Sequence, residues 1–483
     1  YLIFILSLLA AISEGFGILM LFPLLETLDS TQEVSKSEDS LTIFLFGIIK
    51  FLGLSQSITG ILILITAAFV FKGLVTFFAL GFNAYLIGDL LKQLKGSLFD
   101  NYSQMSYRYY SSKDTGHFTN LINEQPTKAL EAFKQLTIFS GQLINTFVLM
   151  SLAFLMTWVF GLMALLVGFL LLILFMSLNS YVRKLSRINA KENGILTRWL
   201  IQMLHAFKYL TATNQTVLLR KNILNSISKL TATQVKAGVA AAFTQSVREP
   251  IAIVFIMIIV FIQILIMQEK IEPILVSIVL FYRALNATLA VQSGFQGTFQ
   301  HIGSMEMVDN EFTEQDKNQS VDGNVLIEDF LYSIEFNNVS FKYGGSKSKV
   351  ISGLTMNFPV KKSIAIVGES GAGKSTLADL VTLMHMPTSG EITIDGIPSN
   401  QIKKSTWRDQ IGYVSQETVI FDDTIANNIC MWKESSEKGN DLWEEIKLAA
   451  KKANILDFIE SLPDGFQSLV GDRGVLLSGG QKQ

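Results

Sequence analysis

Between Gln135 and Val182 the chain runs for 48 residues without a charged side chain. One helical crossing of a bilayer takes roughly 20 apolar residues, so this run predicts two spans folded back as a hairpin. Its turn is expected at "TWVFG", ending at Gly161, where Trp158 suits the headgroup region. The same criterion makes residues 1–25 a first span, 58–88 a second, 251–267 a fifth, and Ile274 to about Phe295 a sixth. Composition agrees, with 49% hydrophobic and only 17% charged residues, outside the range of ordinary soluble proteins. A net charge of -2 excludes a general nucleic-acid binder. The single Cys430 excludes an intramolecular disulfide and reads as a small buried hydrophobe.

Six spans place both ends on one side of the membrane. Residues 183–248, between spans four and five, hold 11 Lys or Arg against one acid, Glu192. Lys and Arg accumulate on the cytoplasmic face, so this connection, both chain ends and whatever follows span six are expected in the cytoplasm. The connection has almost no Pro or Gly and spaces its apolar residues helically, which predicts helices running on past the membrane. Some 25 extra residues carry a helix roughly 40 Å. Breaks near "SYRYYSSKDTGHF" and "HAFKYLTATN" then mark the far tips, around Tyr109 and Phe207, suited to touching a soluble domain. On the opposite face, "LTIFLFGIIKFLGL" between spans one and two has an apolar side fit either to lie on the membrane or to pack on the spans.

After about residue 305 the character changes. Residues 306–330, rich in acid, amide and Gly, read as a linker, and 331–483 as a water-soluble α/β domain. Within it "SIAIVGESGAGKSTLADLV" sets an apolar strand, Ile364–Val367, before Gly368-x-x-x-x-Gly373-Lys374-Ser375 and a helix starting near Lys374. This is the Walker A pattern in its confirming context. Gly368, Ser370, Gly371 and Gly373 leave room for backbone N–H groups to wrap phosphates, with Thr376 in the first helical turn, whose dipole adds positive potential. Lys374 is suited to the β and γ phosphates and the Ser375 hydroxyl to Mg²⁺.

Around this loop lie "IEFNNVSFKYGG", "GEITIDG", "IGYVSQETVIFDDTIANNI" and "LSGGQ". Together they resemble the nucleotide-binding domain of ATP-binding-cassette transporters, and the six spans before them resemble the exporter-type membrane domain of that superfamily. The resemblance covers nearly the whole chain. It implies that Tyr343 stacks on adenine, that Gln416 touches Mg²⁺ and relays the nucleotide state to the membrane domain, and that Ser478, Gly479, Gly480 and Gln481 cap the ATP of an opposite subunit. "VGDRG", Val470–Gly474, is similar to the loop coupling this domain to a partner's cytoplasmic helices. It also implies further elements after the signature, namely the Walker B aspartate, a catalytic glutamate and a switch histidine. None of His117, His205, His301 and His385 fits the last role. The chain is therefore expected to be cut at both ends, since it starts on Tyr1 and stops two residues after a helix has begun.

The implied function is ATP-driven export or flipping of an amphiphile such as a lipid, a lipid-linked saccharide or an apolar peptide. Two half-transporters would sandwich ATP and Mg²⁺, in a multi-pass protein of a bacterial plasma membrane with its ATP domain in the cytoplasm. The alternative is a non-transporting or degenerate partner subunit. An importer fits less well, because importers usually encode the two domains on separate chains. Ionisable residues inside spans mark substrate-site candidates, here Glu14, Lys72 and Arg283, although pairing or packing would also explain them.

Overall fold

The computed structural model describes residues 1–28, 47, 49, 58–156, 158–262, 271–344, 346, 348–416, 418–433 and 440–483. These form two compact units, Tyr1–Val321 and Asp322–Gln483. The segment 41–54, expected on the outer face, lies mostly outside the described residues.

The first unit is helical. Its elements are α1 (Leu2–Leu19), α2 (Leu21–Leu28), α3 (Ile58–Ser103), α4 (Tyr107–Ser112), α5 (Thr115–Asn123), α6 (Gln125–Met156), α7 (Trp158–His205), α8 (Phe207–Ala212), α9 (Thr216–Ser246), α10 (Arg248–Phe261) and α11 (Ile271–Lys317). Five helical stretches among the described residues are long and apolar enough to cross a membrane: Leu2–Leu25, Ile58–Ser103, Thr115–Leu155, Gly168–His205 and Thr216–Ile258. The sixth expected span lies in α11 and is helical, but the side chains of residues 271–277 are outside the described set. The expected hairpin turn falls where α6 ends at Met156 and α7 begins at Trp158. Thr157 and the Trp158 side chain also lie outside the described residues.

With 46 and 48 residues, α3 and α7 are each about 70 Å long. A hydrocarbon core is roughly 30 Å thick, so each helix extends well past it, as the charge pattern required. On the membrane portion of α3, Phe77 and Phe78 are 71% and 63% exposed, the pattern of a face solvated by lipid. Inside, glycines let helices approach closely. A Cβ on Gly303 of α11 would meet the Ser186 carbonyl oxygen of α7 at 2.7 Å, and one on Gly294 would meet the Phe139 backbone of α6 at 3.0 Å.

The tips break where expected, at Gln104–Ser106 before α4 and around Ala206 before α8. Ser106 and Asp114 accept from the backbone N–H groups of Tyr109 and His117, capping α4 and α5. This first tip is knitted to the end of α11. The Ser106 N–H donates to the Asn318 carbonyl at 2.9 Å, and the Ser320 N–H to the Gln104 carbonyl at 3.0 Å. About two turns earlier on α11 sits Glu311, 4% exposed, accepting from the Tyr109 hydroxyl at 3.0 and 3.1 Å and contacting His117 Nε2 at 2.9 Å. Burial alone would raise the Glu311 carboxyl. The His117 hydrogen bond and charge, then the Tyr109 hydroxyl, outweigh it and hold the group below its ordinary range. Burial and the Glu311 charge in turn push the Tyr109 phenol up.

The boundary differs from the expected 306–330 linker. Residues 306–317 are helical, because Arg187 binds Glu306 at 2.6 and 2.7 Å and Glu311 is clamped as described, so this acid-rich stretch has partners that hold it in α11. Past Val321 the chain packs into the second unit. The Gly323 and Val325 N–H groups donate to the Ile402 and Gln401 carbonyls, and Ile327 is buried in the core.

That second unit holds a four-stranded antiparallel sheet in the order β2 (Ile351–Pro359), β1 (Ser333–Phe341), β3 (Ser389–Ile394), β4 (Ile397–Pro398). Ile334 and Phe336 face Ile394 and Ile392 across the β1–β3 ladder, and all four are buried. Asp395 accepts from the N–H groups of Leu331, Tyr332 and Ser333 at 2.7 to 2.9 Å, fixing the start of β1. One expectation is corrected here. Ile364–Val367, expected as an apolar strand, joins no ladder, with Val367 92% exposed, and residues 411–416 likewise form no strand, with Val414 77% exposed. A strand takes its hydrogen bonds and cover from neighbours, and among the described residues no strand pairs with either segment.

Replacing Glu311 with Ala should destabilise the membrane unit by roughly 3 kcal/mol, since it orphans buried donors. Thermal melts of the purified protein check this. A carboxyl lowered by folding contributes stability that is present above its unfolded pKa, about 4.3, and lost as pH falls through the folded value. The gap between wild type and variant should hold from pH 7 to 5 and shrink below 4.

Candidate functional site

The glycine loop is built against the sheet edge. Gly371 and Gly373 take φ of +87° and +93°, left-handed backbone that L side chains rarely adopt. A Cβ on Gly373 would also come within 3.3 Å of the Val350 carbonyl and side chain. Helix α12 (Lys374–Val381) starts directly after Gly373, and its first-turn N–H groups have no intrahelical acceptor. Leu377 and Leu380 bury its inner face in the core with Ile392, Ile394 and Trp407. Its far end is pinned too: the Trp407 indole donates to the Val381 carbonyl at 2.9 Å, and the Arg408 guanidinium to the Thr382 and Leu383 carbonyls at 3.3 and 2.9 Å. A cation at a helix C-terminus is well placed. The helix that presents the loop is thus held from both ends.

The expected nucleotide residues fall into two groups. Gly368, Ser370, Gly371, Gly373, Lys374, Ser375 and Thr376 share the loop and first turn, with Lys374 Nζ donating to the Gly368 and Glu369 carbonyls at 2.8 and 2.7 Å. Tyr343 joins them, since its hydroxyl lies 2.9 Å from Thr376 Oγ1. Its ring meets those of Phe341 and His385 edge-on, at centroid separations of 5.0 and 5.4 Å. Gln416 lies on an exposed bend. Ser478 begins a separate feature, the four-residue helix Gly479–Lys482. Its side chain accepts from the Gln481 N–H while the Gln481 side chain accepts from the Ser478 N–H, at 3.4 and 2.8 Å. This capping box leaves Gly479 and Gly480 exposed, with open space where a Cβ would stand. In "VGDRG", Arg473 adopts φ +52° between Gly471 and Gly474, also left-handed.

The loop fits a nucleoside triphosphate with its metal. It offers backbone N–H donors at the start of a helix, the Lys374 ammonium, and a hydroxyl at Ser375 of the type that ligates Mg²⁺. The sequence reading missed the supports, Trp407, Arg408 and His385. These are ordinary residues until the fold brings them beneath the loop and beside Tyr343.

In the membrane unit, Glu14, Lys72 and Arg283 come together. Glu14 is 3% exposed, and its two oxygens take Lys72 Nζ at 2.7 Å and Arg283 Nη1 at 3.1 Å. The Ser13 hydroxyl beside it donates to the Ala68 carbonyl at 2.7 Å, holding α1 on α3.

Comparisons with known proteins agree with this architecture. The profile of the ABC transporter transmembrane region matches residues 1–289, and that of the ABC transporter domain residues 351–483. The chain is 27% identical over 424 residues to the ATP-dependent lipid A-core flippase of Haemophilus influenzae, covering 86% of this chain and 70% of that protein. It is 25% identical over 401 residues to the heterocyst differentiation ATP-binding protein HepA of a Nostoc species, covering 82% of this chain and 64% of that one, so it spans under two thirds of that relative. A solved bacterial Atm1-family ABC exporter with ATP bound superposes with a TM-score of 0.75 at 20% identity, covering 98% of this chain and 81% of the exporter chain.

Gly373→Ala should weaken ATP binding sharply, because the substitution places a side chain in a left-handed conformation costing about 1–2 kcal/mol and against the Val350 carbonyl. Tyr343→Phe, which keeps the ring and loses only the hydroxyl contact to Thr376, should cost far less. Titration with a fluorescent ATP analogue distinguishes the two. A helical membrane unit followed in one chain by a Walker loop and a signature turn, together with these matches, shows that the chain belongs to the ABC transporters, with its membrane and ATP domains fused.

Proposed function

We propose that the chain forms half of an ATP-driven exporter or flippase that moves an amphiphile across the membrane, working as a dimer with a second half-transporter. The observation that carries this reading is the Walker loop, pinned between core and sheet edge, in the same chain as helices long enough to cross the bilayer and continue beyond it. Relatives named as lipid A-core flippases support a lipid-like cargo.

The loop amides and Lys374 take the triphosphate, and Ser375 with Gln416 takes Mg²⁺. The capped turn at Ser478 presents its N–H groups to the γ-phosphate held by the opposite subunit. ATP then draws the two domains together, and hydrolysis releases them. A ligand shifts such an equilibrium only by its differential affinity for the two states, and the γ-phosphate, touched from both sides in the closed state alone, supplies that difference. Closure passes to the spans through the helical tips near Tyr109 and Phe207.

Lys374→Ala should abolish ATP-dependent transport in proteoliposomes while leaving membrane insertion intact; undiminished transport removes Lys374 from the assigned role. Mixed dimers test the cross-subunit arrangement. A Lys374→Ala copy paired with a Ser478→Arg copy damages one composite site twice and spares the other, so residual ATPase should exceed that of either homodimer.

A further inference from the structure

Tyr343 is the one expected nucleotide residue that carries an aromatic ring, and no ladder holds it, since it stands two residues past the end of β1. Its ring is 36% exposed, beside the first turn of α12. A side chain in such a place is free to change rotamer, and freedom surrendered on binding subtracts from affinity. Two buried rings remove that freedom in advance. Phe341, 5% exposed, meets Tyr343 at a centroid separation of 5.0 Å and an angle of 83°, and His385, 3% exposed, meets it at 5.4 Å and 85°. Both are edge-to-face, a geometry that aromatic pairs favour. His385 also packs on Phe341 at 5.0 Å, so the three rings close on one another.

His385 arrives there because of how α12 ends. The Met384 and His385 N–H groups both donate to the Asp379 carbonyl, at 2.9 and 3.3 Å, and Leu383 takes a left-handed φ of +53°, which ends the helix sharply. The segment beyond is tied to the end of β1. The Thr388 N–H donates to the Ser340 carbonyl at 2.8 Å, and the Lys342 N–H to the Thr388 hydroxyl at 3.2 Å. Tyr343 therefore touches α12 through its hydroxyl on Thr376, in the first turn, and touches His385, beyond the last turn, through its ring. The helix that opens at the phosphate loop also sets the attitude of this ring. Being 3% exposed, His385 offers a nucleotide almost no surface of its own.

We propose that His385 is a positioning residue for the base end of the nucleotide: its imidazole braces the Tyr343 ring in the plane on which a purine stacks, and it takes no part in the grip on phosphate. This role goes beyond the ATP reading above and rests on it for the ligand.

The test is calorimetric titration of the full-length protein in nanodiscs with Mg-ATP and with Mg-tripolyphosphate, which has the phosphates and no base. His385→Leu, which keeps the buried volume and loses the ring, should weaken ATP binding about fivefold, the lower end of what stacking a base on an aromatic side chain supplies. Tripolyphosphate binding should stay unchanged, which also shows that the domain is folded; His385→Met takes the place of His385→Leu if the latter does not fold. His385→Phe, which returns a ring to the same place, should restore ATP binding. In a Tyr343→Leu background, His385→Leu should have no further effect, because the ring it braces is gone. A merely structural histidine predicts equal losses for ATP and tripolyphosphate in a folded variant, or an effect that persists without the Tyr343 ring. Either result overturns the proposal, as does a His385→Phe variant no better than His385→Leu. Unaltered ATP binding in His385→Leu, with Tyr343→Leu still weakening it, sinks the brace alone. If Tyr343→Leu is also without effect, Tyr343 is not the base platform, and if the wild type binds neither ligand, the ATP reading itself falls.

Discussion

Hydrocarbon offers a peptide group nothing to bond with, so every residue that crosses must satisfy its own backbone within a helix. The first unit follows from that constraint. Once a chain is helical and apolar through the membrane, continuing the helix costs little, since each added residue gains one hydrogen bond for one pair of fixed dihedrals. This is why α3 and α7 exceed the bilayer and why their ends fall at identifiable punctuation, Ser106 and Asp114 in one case and Ala206 in the other. Polar groups then appear where helices meet. Gln292 donates to Asn179 at 3.1 Å, and the Gly303 N–H to the Ser186 hydroxyl at 3.0 Å. Each joins α11 to α7, helices remote in sequence that form much of the core of the bundle.

The second unit solves a different problem. A loop that grips phosphate exposes donors and accepts left-handed backbone, and both are unfavourable by themselves. The surroundings supply the offset. Leu377 and Leu380 anchor α12 into the sheet, while Trp407 and Arg408 occupy the carbonyls at its far end. The loop therefore stands on a helix that has little freedom to adjust, which suits a site whose donors must already point inward before a ligand arrives.

Much of this could be read from the residues. Span placement followed from uncharged length, sidedness from the basic stretch 183–248, and the tip breaks from local polarity around Tyr109 and Phe207. The Walker loop was legible because its glycines, Lys374 and Ser375 are adjacent in sequence. What sequence could not supply is long-range partnership. The acid-rich 306–317 looked like a linker because Glu306 and Glu311 were counted as solvated charges; Arg187, Tyr109 and His117, over a hundred residues away, make them helical and held. Ile364–Val367 failed for the converse reason: apolar and β-prone residues suggest a strand, yet the ladder has to come from elsewhere. Asn83 and Asn145 carry no charge to mark them in the sequence, and an unmatched amide is visible only once burial is known.

The clasp at the end of α11 has a mechanical meaning. Paired backbone bonds join Gln104–Ser106 to Asn318–Ser320 about two turns beyond the buried Glu311, so the last turns of α11 and the corner after α3 are riveted at three points. A push or twist applied at residue 321 is shared at once by two long rods that descend on separate paths through the bilayer. The protein's lever arm is accordingly a braced frame, stiff against bending where one unsupported helix would yield.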